Sequence, residues 1–350
     1  MALLIGMDEA GLGPNLGPFV VAATVWRVPG PPAEFDFWTA FDTVLTNAPG
    51  KDDPRLFVAD SKQVFQPHRG LDSLERGIWS ALRLTDVPAQ SFRCLCESLS
   101  RPLVDPSTTW DSSSSRSDAV KRGPSLFDAT ELSAAKSPTE TEPLGEDLVP
   151  QPWYDSDFAL PIAPFDISLS DAWRSCCERN GAQLVAIRAD VVEPLRFNRL
   201  TRRYDNKSQA TSRLAMNLLR NLWNPAAEDA LIVADKHGGR NRYDALLSET
   251  FRLPVESVAE GALQSTYRVG NGELRFQPRA ESHGPVALAS MAAKYLREVA
   301  MEQFNQFWQR LIPGLKPTQG YPLDARRFRE SIAEEQLRLQ ISADALWRER

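Results

Sequence analysis

Residues 1–25 read MALLIGMDEAGLGPNLGPFVVAATV and carry the strongest structural signal in the chain. The apolar run 3–5 leads to Asp8 and Glu9, a glycine-rich turn follows, and a second apolar run covers 19–25. This order predicts a β-hairpin of two buried strands joined by a tight turn. An unpaired buried carboxylate is strongly destabilising. The two adjacent acids therefore indicate a divalent cation, a basic partner or a solvated strand end.

The turn between the two strands carries a motif. Its sequence, Asp8-Glu9-Ala10-Gly11-Leu12-Gly13-Pro14, is followed by Gly17-Pro18 and a strand of small apolar residues. This wording resembles the opening signature of the type 2 ribonucleases H, ribonuclease HII and its relatives, whose pattern is Asp-Glu-x-Gly-Arg-Gly-Pro. Leu12 stands where that family has arginine.

The acidity of the chain is concentrated in one segment. The 350 residues suffice for two average domains or one domain with insertions, and the net charge is −6. Residues 98–166 hold 12 acidic and 5 basic side chains, a net of −7, which leaves +1 for the remainder. The segment 98–162 is rich in serine, proline and acids, so we expect a disordered or weakly ordered insertion, with a functional lid as the alternative. Basic clusters at 196–203, 240–242 and 316–329 permit a nucleic-acid partner.

Composition also limits the cellular context. No apolar run approaches the ~18 residues of a membrane span, and the apolar start lacks a basic leader. The four cysteines lack zinc-site spacing, and adjacent cysteines rarely bridge each other. We therefore expect a reduced, cytoplasmic protein with no membrane partner, and we expect a monomer.

Hydrophobic periodicity predicts the remaining elements. We expect helices over 67–84, 167–180, 208–222, 286–307 and 324–332, and strands over 91–99, 184–192, 230–234 and 255–260. The dipeptide Asn271-Gly272 predicts the turn of a second hairpin over 266–279.

Later segments resemble further motifs of the same family, in the same order along the chain. In that family an Asp-Ser-Lys motif holds substrate phosphate, and a later helix begins near an asparagine. A strand then ends on aspartate, and an acid precedes a helix of small residues. Near the end of the family's sequence a tyrosine follows a glycine. The matching segments here are Asp60-Ser61-Lys62, Asn206 with Ala210-Thr211, Asp235 after the strand 230–234, Glu281-Ser282 before the helix that contains Ser290, and Gly320-Tyr321-Pro322.

The resemblance implies an α/β, ribonuclease H-like fold, with a mixed central sheet flanked by helices and a C-terminal helical part. It divides the chain into a first catalytic part (1–97), the insertion (98–162), a second catalytic part (163–312) and a C-terminal helical extension (313–350). It implies a set of catalytic carboxylates that also bind Mg²⁺ or Mn²⁺: Asp8, Glu9, Asp235 and Glu281. The substrate-binding residues that it implies are Gly11, Leu12, Gly13, Ser61, Lys62, Asn206, Ser290 and Tyr321.

The implied activity is endonucleolytic hydrolysis of the RNA strand of RNA–DNA hybrids, or of ribonucleotides embedded in DNA, by a two-metal mechanism. Leu12 removes a phosphate contact, although Gly11 and Gly13 keep backbone recognition of the 2′-hydroxyl available. Glu281 replaces an aspartate, and its longer side chain reaches further. Two alternatives stay open: a nuclease of the same fold that cuts structured DNA, and an inactive nucleic-acid-binding relative. The four retained acids argue against an inactive protein, because they repel one another without benefit.

Two further features have ordinary structural explanations. His283 is expected at the surface, although a role in proton transfer is the alternative. The basic loop 236–242 is expected either as a solvated hairpin tip or as a phosphate contact.

Overall fold

A computed structural model describes residues 1–66, 70–104, 144–145, 151–155, 158–163 and 166–349. The two apolar runs at the start of the chain form adjacent antiparallel strands, β1 (Ala2–Ala10) and β2 (Phe19–Val28), as the sequence predicts. Nearly every side chain of both strands is buried, because each face of this hairpin is covered by helices. Continuous apolar runs, rather than alternating ones, are what such a doubly covered strand requires.

The hairpin lies inside a mixed sheet. The other strands are β3 (Leu45–Thr46), β4 (Leu56–Phe57), β5 (Gln183–Val192), β6 (Ala230–Asp235), β7 (Val255–Ala259), β8 (Ser265–Val269) and β9 (Gly272–Gln277). Seven of them form one sheet in the order β5-β2-β1-β6-β9-β8-β7, and β3 pairs with β4 separately. The pairs β1–β6 and β6–β9 are parallel, and the remaining pairs of the large sheet are antiparallel. The expected mixed central sheet is therefore confirmed.

Helices cover both faces of the sheet. They are α1 (Phe37–Ala40), α2 (Ser61–Val64), α3 (Asp72–Leu82), α4 (Phe92–Leu99), α5 (Ile167–Arg179), α6 (Pro194–Tyr204), α7 (Lys207–Arg220), α8 (Asp244–Phe251), α9 (Gly284–Leu311), α10 (Pro322–Arg338) and α11 (Ala343–Leu346). The longest, α9, lies across β1 and β2 on one face, and α6, α7 and α8 close the other. The first turns of α9 are rich in alanine, which is the best helix former. These small side chains let α9 approach the sheet closely.

The strand expected over 91–99 is wrong, because this segment is the helix α4. Ser91 caps the helix, and its side chain accepts a hydrogen bond from the Cys94 amide at 3.3 Å. Phe92, Leu95 and Leu99 recur at helical spacing and are buried in the apolar core between α9 and the sheet. The short apolar run fits both periods, and the N-cap serine decides in favour of the helix.

Part of the expected insertion 98–162 contacts the core. Trp153 is buried and its ring packs edge-on against Phe304, with ring centroids 5.3 Å apart. The amides of Ile162 and Ala163 donate to the buried carboxylate of Glu75, at 2.8 Å and 2.7 Å. Residues 105–143 and 146–150, on which most of the disorder prediction falls, lie outside the described residues.

The last part of the chain contains α10 and α11, which pack with the distal half of α9 around a third apolar cluster.

In the described part of the chain, no helix combines the length and the apolar character that a membrane crossing needs. All four cysteines are free thiols.

Candidate active site

Two of the predicted acids are brought together by the parallel pairing of β1 and β6. Met7 is opposite Ala234 in this register, so Asp8 and Asp235 follow at the same edge of the sheet. Carboxyl ends of neighbouring parallel strands are a common position for sites in α/β proteins. The hydrogen bonds Glu9 N to Asp8 Oδ1 (2.8 Å) and Lys236 N to Asp235 Oδ1 (3.0 Å) fix both carboxylates at the strand ends.

The strand pleat separates the acids into two groups. Met7 and Ala234 face the core under α7, so the next residues, Asp8 and Asp235, face α9. Glu9 follows Asp8 directly and therefore points to the opposite face. Glu281 lies in the short 3₁₀ turn Ala280–Ser282, immediately before α9.

All four acids hold protons more tightly than free carboxyl groups do. Burial raises the pKa of Asp8 to about 7, against hydrogen bonds from Ser290 and the Glu9 amide, and the charges of Glu281 and Asp235 raise it further. Burial, followed by the charges of Asp8 and Asp235, raises the pKa of Glu9 well above its ordinary value. Burial is also the main cause of the raised pKa values of Asp235 and Glu281. The four acids therefore act on one another electrostatically.

The Asp60-Ser61-Lys62 motif adjoins these acids. Its serine begins α2, and the Ser61 amide and hydroxyl lie 3.3 Å and 3.1 Å from the hydroxyl of Ser290 on α9. The charge of Lys62 lowers the pKa values of Glu9, Asp235 and Glu281, each against the larger effect of burial. Lys62 itself is exposed. Ser61, Lys62 and Ser290 therefore lie beside the acids.

The glycine-rich turn lies beside the predicted tyrosine. A Cβ atom placed on Gly13 would lie 3.7 Å from Cε1 of Tyr321, whose side chain is 52% exposed. Gly11 has φ +88°, and a Cβ there would lie 2.7 Å from the carbonyl oxygen of Pro18. Leu12 is partly buried against the apolar core between the sheet and the helices α6, α7 and α8. Asn206 caps α7 by accepting a hydrogen bond from the Gln209 amide at 3.1 Å, so its side chain has a structural use.

Several residues at the turn were missed by sequence reasoning. Arg348 donates to the carbonyl oxygens of Gly11 and Pro14, and Arg297 donates to those of Leu16 and Gln319. Nothing in their local sequence indicates these contacts, because Arg348 reaches the turn from 334 positions away.

His237 is buried against Tyr243 and Phe276, and burial lowers its pKa to about 4.

The basic loop 236–242 is folded back on the protein. Lys236 donates to Asn241 Oδ1 at 2.7 Å and to the carbonyl oxygen of Gly261, and Arg242 pairs with Glu260 at 3.2 Å. Arg242 remains 81% exposed.

His283 is half-buried rather than fully exposed, and its Nε2 lies 3.2 Å from Nε2 of Gln277.

A polar cleft of about 430 Å³ opens next to Glu281. Its walls include Asn47, Asp60, Gln63 and Arg279. Arg279 adopts the left-handed backbone conformation, with φ 58°, which is uncommon for a residue with a side chain.

The acids match a hard divalent cation in chemistry but are not arranged as a ready-made metal centre. Across the residues that the structure describes, no group of three or more His, Cys, Asp or Glu side chains is placed to hold a metal ion. All four candidate ligands are nevertheless carboxylates, which Mg²⁺ and Mn²⁺ prefer. Burial disfavours their charges, and the neighbouring Lys62 offsets this only in part. A divalent cation would supply the missing positive charge.

No protein family's sequence profile matches this chain, and no curated protein matches it in sequence. Among solved structures, the chain is similar to the ribonuclease H2 of Pyrococcus horikoshii, with 13% identity over 98% of this chain and 92% of that one, and a TM-score of 0.40. It is similar to the RNase HII of Archaeoglobus fulgidus, solved in a complex with PCNA, with 12% identity, coverage of 99% and 94%, and a TM-score of 0.37. It is also similar to Bst-RNase HIII, solved with Mn²⁺, with 16% identity, coverage of 99% and 66%, and a TM-score of 0.37.

Proposed function

We propose that this protein is a divalent-metal-dependent endonuclease that hydrolyses the RNA strand of RNA–DNA hybrids, or ribonucleotides embedded in DNA. The observation that carries the proposal is the placement of Asp8 and Asp235 at the same end of β1 and β6, where the charges of Asp235 and Glu281 act on Asp8 and Ser290 binds it. The charge of Lys62 acts on Asp235 and Glu281. The glycine-rich turn beside Tyr321 adds a surface that a ribose can approach. The motif resemblance along the chain supports the same activity.

Each group has a distinct task in this proposal. Asp8 and Asp235 would hold Mg²⁺ or Mn²⁺ from one face of the sheet, together with Glu281 from the turn before α9, and Glu9 would approach from the opposite face. When bound there, the cations would supply the positive charge that activates an attacking water and stabilises a leaving oxygen. The hydroxyl of Ser290 orients the Asp8 carboxylate. The ammonium group of Lys62 attracts the phosphate, and its charge favours the ionised form of the neighbouring acids.

The Gly11–Pro14 turn and Tyr321 would select the ribonucleotide. The 2′-hydroxyl is the group that distinguishes RNA from DNA at such a site. Gly11 and Gly13 lack a Cβ, so backbone amides of the turn can approach the sugar closely. The exposed ring of Tyr321 offers an apolar surface on which that sugar can stack.

A nuclease for structured DNA is the second candidate, and one observation favours it. Leu12 occupies the position of a phosphate-binding arginine and turns partly into the core. The turn therefore provides no side-chain cation at position 12, and substrate choice depends on the backbone.

The decisive experiment is a cleavage assay on four duplexes: an RNA–DNA hybrid, DNA with one ribonucleotide, plain DNA, and a branched DNA. We expect cleavage of the first two with Mg²⁺ or Mn²⁺ and none with a chelator. Asp8→Asn should abolish cleavage, whereas Asp171→Asn, on the exposed side of α5, should not. Equal cleavage of plain DNA and hybrid would refute 2′-hydroxyl selection, and preference for the branched duplex would favour the second candidate.

A further inference from the structure

The carbonyl groups of the turn Gly11–Pro14 are bound by two cations of the protein. Nη2 of Arg348 donates to the carbonyl oxygens of both Gly11 and Pro14, the latter at 2.5 Å. Nζ of Lys207, at the start of α7, donates to the carbonyl oxygen of Leu12 at 2.6 Å. Three of the four carbonyl groups in the turn are therefore held by positive charge.

Binding the carbonyl groups also sets the direction of the amides. In a trans peptide the C=O of one residue and the N–H of the next point in opposite directions. The pair Pro14–Asn15 illustrates this, because the Pro14 carbonyl accepts from Arg348 while the Asn15 amide donates to Gly320 O at 2.7 Å. Gly320 immediately precedes Tyr321. By the same geometry, the amides of Leu12 and Gly13 point away from the two cations.

Arg348 is held in place by hydrogen bonds to its neighbours. Its amide donates to Asn15 O at 2.8 Å, and its carbonyl accepts from Asn15 Nδ2 at 3.0 Å. Asn198 on α6 binds the flanking residues, donating to Trp347 O and accepting from the Glu349 amide, each at 2.8 Å. The segment 347–349 is thereby fixed between the turn and α6.

The position of Arg348 is electrostatically costly. The side chain is fully buried, and burial together with the charge of Arg297 lowers its pKa to about 9. Within the described residues, its Nε and Nη1 have no hydrogen-bond partner. An apolar side chain here would relieve the cost of the buried charge, but it would leave the carbonyl oxygens of Gly11 and Pro14 without this donor and would remove the cation that lies 5.0 Å from the centre of the Phe197 ring. The bonds to the turn are therefore the contacts through which Arg348 fixes the Gly11–Pro14 backbone.

We propose that Arg348 and Lys207 are positioning residues for substrate selection, which hold the Gly11–Pro14 turn so that the Leu12 and Gly13 amides donate to the ribonucleotide. This inference rests on the proposed function for its substrate. It assigns two cations, both remote in sequence from the turn, to the recognition of the sugar.

The test compares Arg348→Met and Lys207→Met with the wild-type protein. We measure kcat/KM on duplexes with and without a single ribonucleotide, and the amide chemical shifts of ¹⁵N-labelled Leu12 and Gly13. Each variant should lose about fivefold in ribonucleotide selectivity, the size of one hydrogen bond between neutral groups, here a backbone amide and the 2′-hydroxyl. It should also shift the amide signals of Leu12 and Gly13. Arg348→Lys should restore part of the selectivity, because it retains a donor.

Two matched variants serve as controls. Arg329→Met removes a cation that lies 5.2 Å from the Trp347 ring, and Arg213→Met removes the partner of Glu249 on α7. Neither Arg329 nor Arg213 contacts the turn, so both variants should keep wild-type selectivity and amide shifts. Lys207→Met and Arg348→Lys carry the test if Arg348→Met does not fold.

The possible failures are distinguishable. If the wild-type protein cuts none of the duplexes, the proposed function is wrong, and the amide signals still decide whether the two cations position the turn. If the wild-type protein is selective but the Met variants keep both selectivity and amide shifts, the positioning inference is overturned. Equal changes in the control variants would overturn it as well.

Discussion

At Asp8, burial and charge act against each other. The side chain is 9% exposed, and the surrounding acids oppose its ionisation, so its pKa rises to about 7. The hydrogen bonds from Ser290 and the Glu9 amide favour the charged form but do not outweigh burial. A site that must bind a cation gains from this arrangement, because the metal relieves a repulsion already present in the fold.

The first prediction concerns Asp8→Asn without divalent metal. Because the folded-state pKa lies above the ordinary 3.8, the folded protein loses stability as the pH rises from about 4 to about 7. The amide removes this loss, so the variant should be more stable than wild type at pH 8, by up to about 4 kcal/mol, and nearly equal at pH 4. Urea unfolding in a chelator at both pH values measures this. An equal effect at both pH values would contradict the assignment, and Asp171→Asn is the control.

The second prediction concerns Gly11→Ala. Gly11 has φ +88°, and an added Cβ would meet Arg297 Nε at 2.6 Å and the Pro18 carbonyl oxygen at 2.7 Å. Gly30 also has a positive φ, +66°, but nothing lies within 4 Å of its Cβ position. Gly30→Ala should cost about 1 kcal/mol of backbone strain, and Gly11→Ala about 3 kcal/mol or more. Equal losses in urea unfolding would show that the turn has room for a side chain.

At the scale of elements, the sequence predicts what is local. The hairpin β1–β2 and the hairpin β8–β9 were predictable, because apolar runs and glycine turns lie next to each other in the chain. The acids at the ends of β1 and β6 were predictable as strand ends, but their adjacency depends on a parallel register between strands more than 200 residues apart. The helix α4 was missed because eight residues provide too little periodicity to exclude a strand.

The third prediction concerns the segment around Trp153, which lies inside the expected insertion. Trp153 is 3% exposed and packs against Phe304 and Phe307 of α9. Trp153→Ala should therefore cost about 3–5 kcal/mol, the usual loss for a buried aromatic side chain. Leu323→Ala, at a side chain that is 85% exposed, is the control. A loss below about 0.5 kcal/mol in thermal or urea unfolding would show that this segment is separable from the core, because surface substitutions usually stay within that range.

At the scale of the whole molecule, the candidate site draws on the beginning, middle and end of the chain. Asp8, Lys62, Asp235, Glu281 and Tyr321 belong to five separate segments. The motif resemblance predicts these positions as site residues. The bracing of the turn by Arg348 could not be predicted, because a buried arginine is recognisable only when its tertiary surroundings are known.

The fourth prediction concerns metal binding. If the four carboxylates bind Mg²⁺ or Mn²⁺, the cation should raise the thermal midpoint, with a gain of about 4 kcal/mol at a thousand times the dissociation constant. The gain should be larger at pH 8 than at pH 5, because the raised pKa values keep the acids protonated at low pH. Differential scanning fluorimetry with each cation measures this. An equal gain in Asp8→Asn and wild type would place the bound cation elsewhere.

The bonds from Arg348 to the Gly11–Pro14 turn have a consequence for synthesis on the ribosome. Residues 11 and 14 leave the exit tunnel first, yet their partner is made 337 and 334 positions later. At about 5–20 residues per second, the nascent turn waits roughly 20 s to a minute for that partner. The β1–β2 hairpin can pair within microseconds of its emergence. A polypeptide that stalls before residue 348 would thus present the acids beside a turn that lacks its bonds to Arg348.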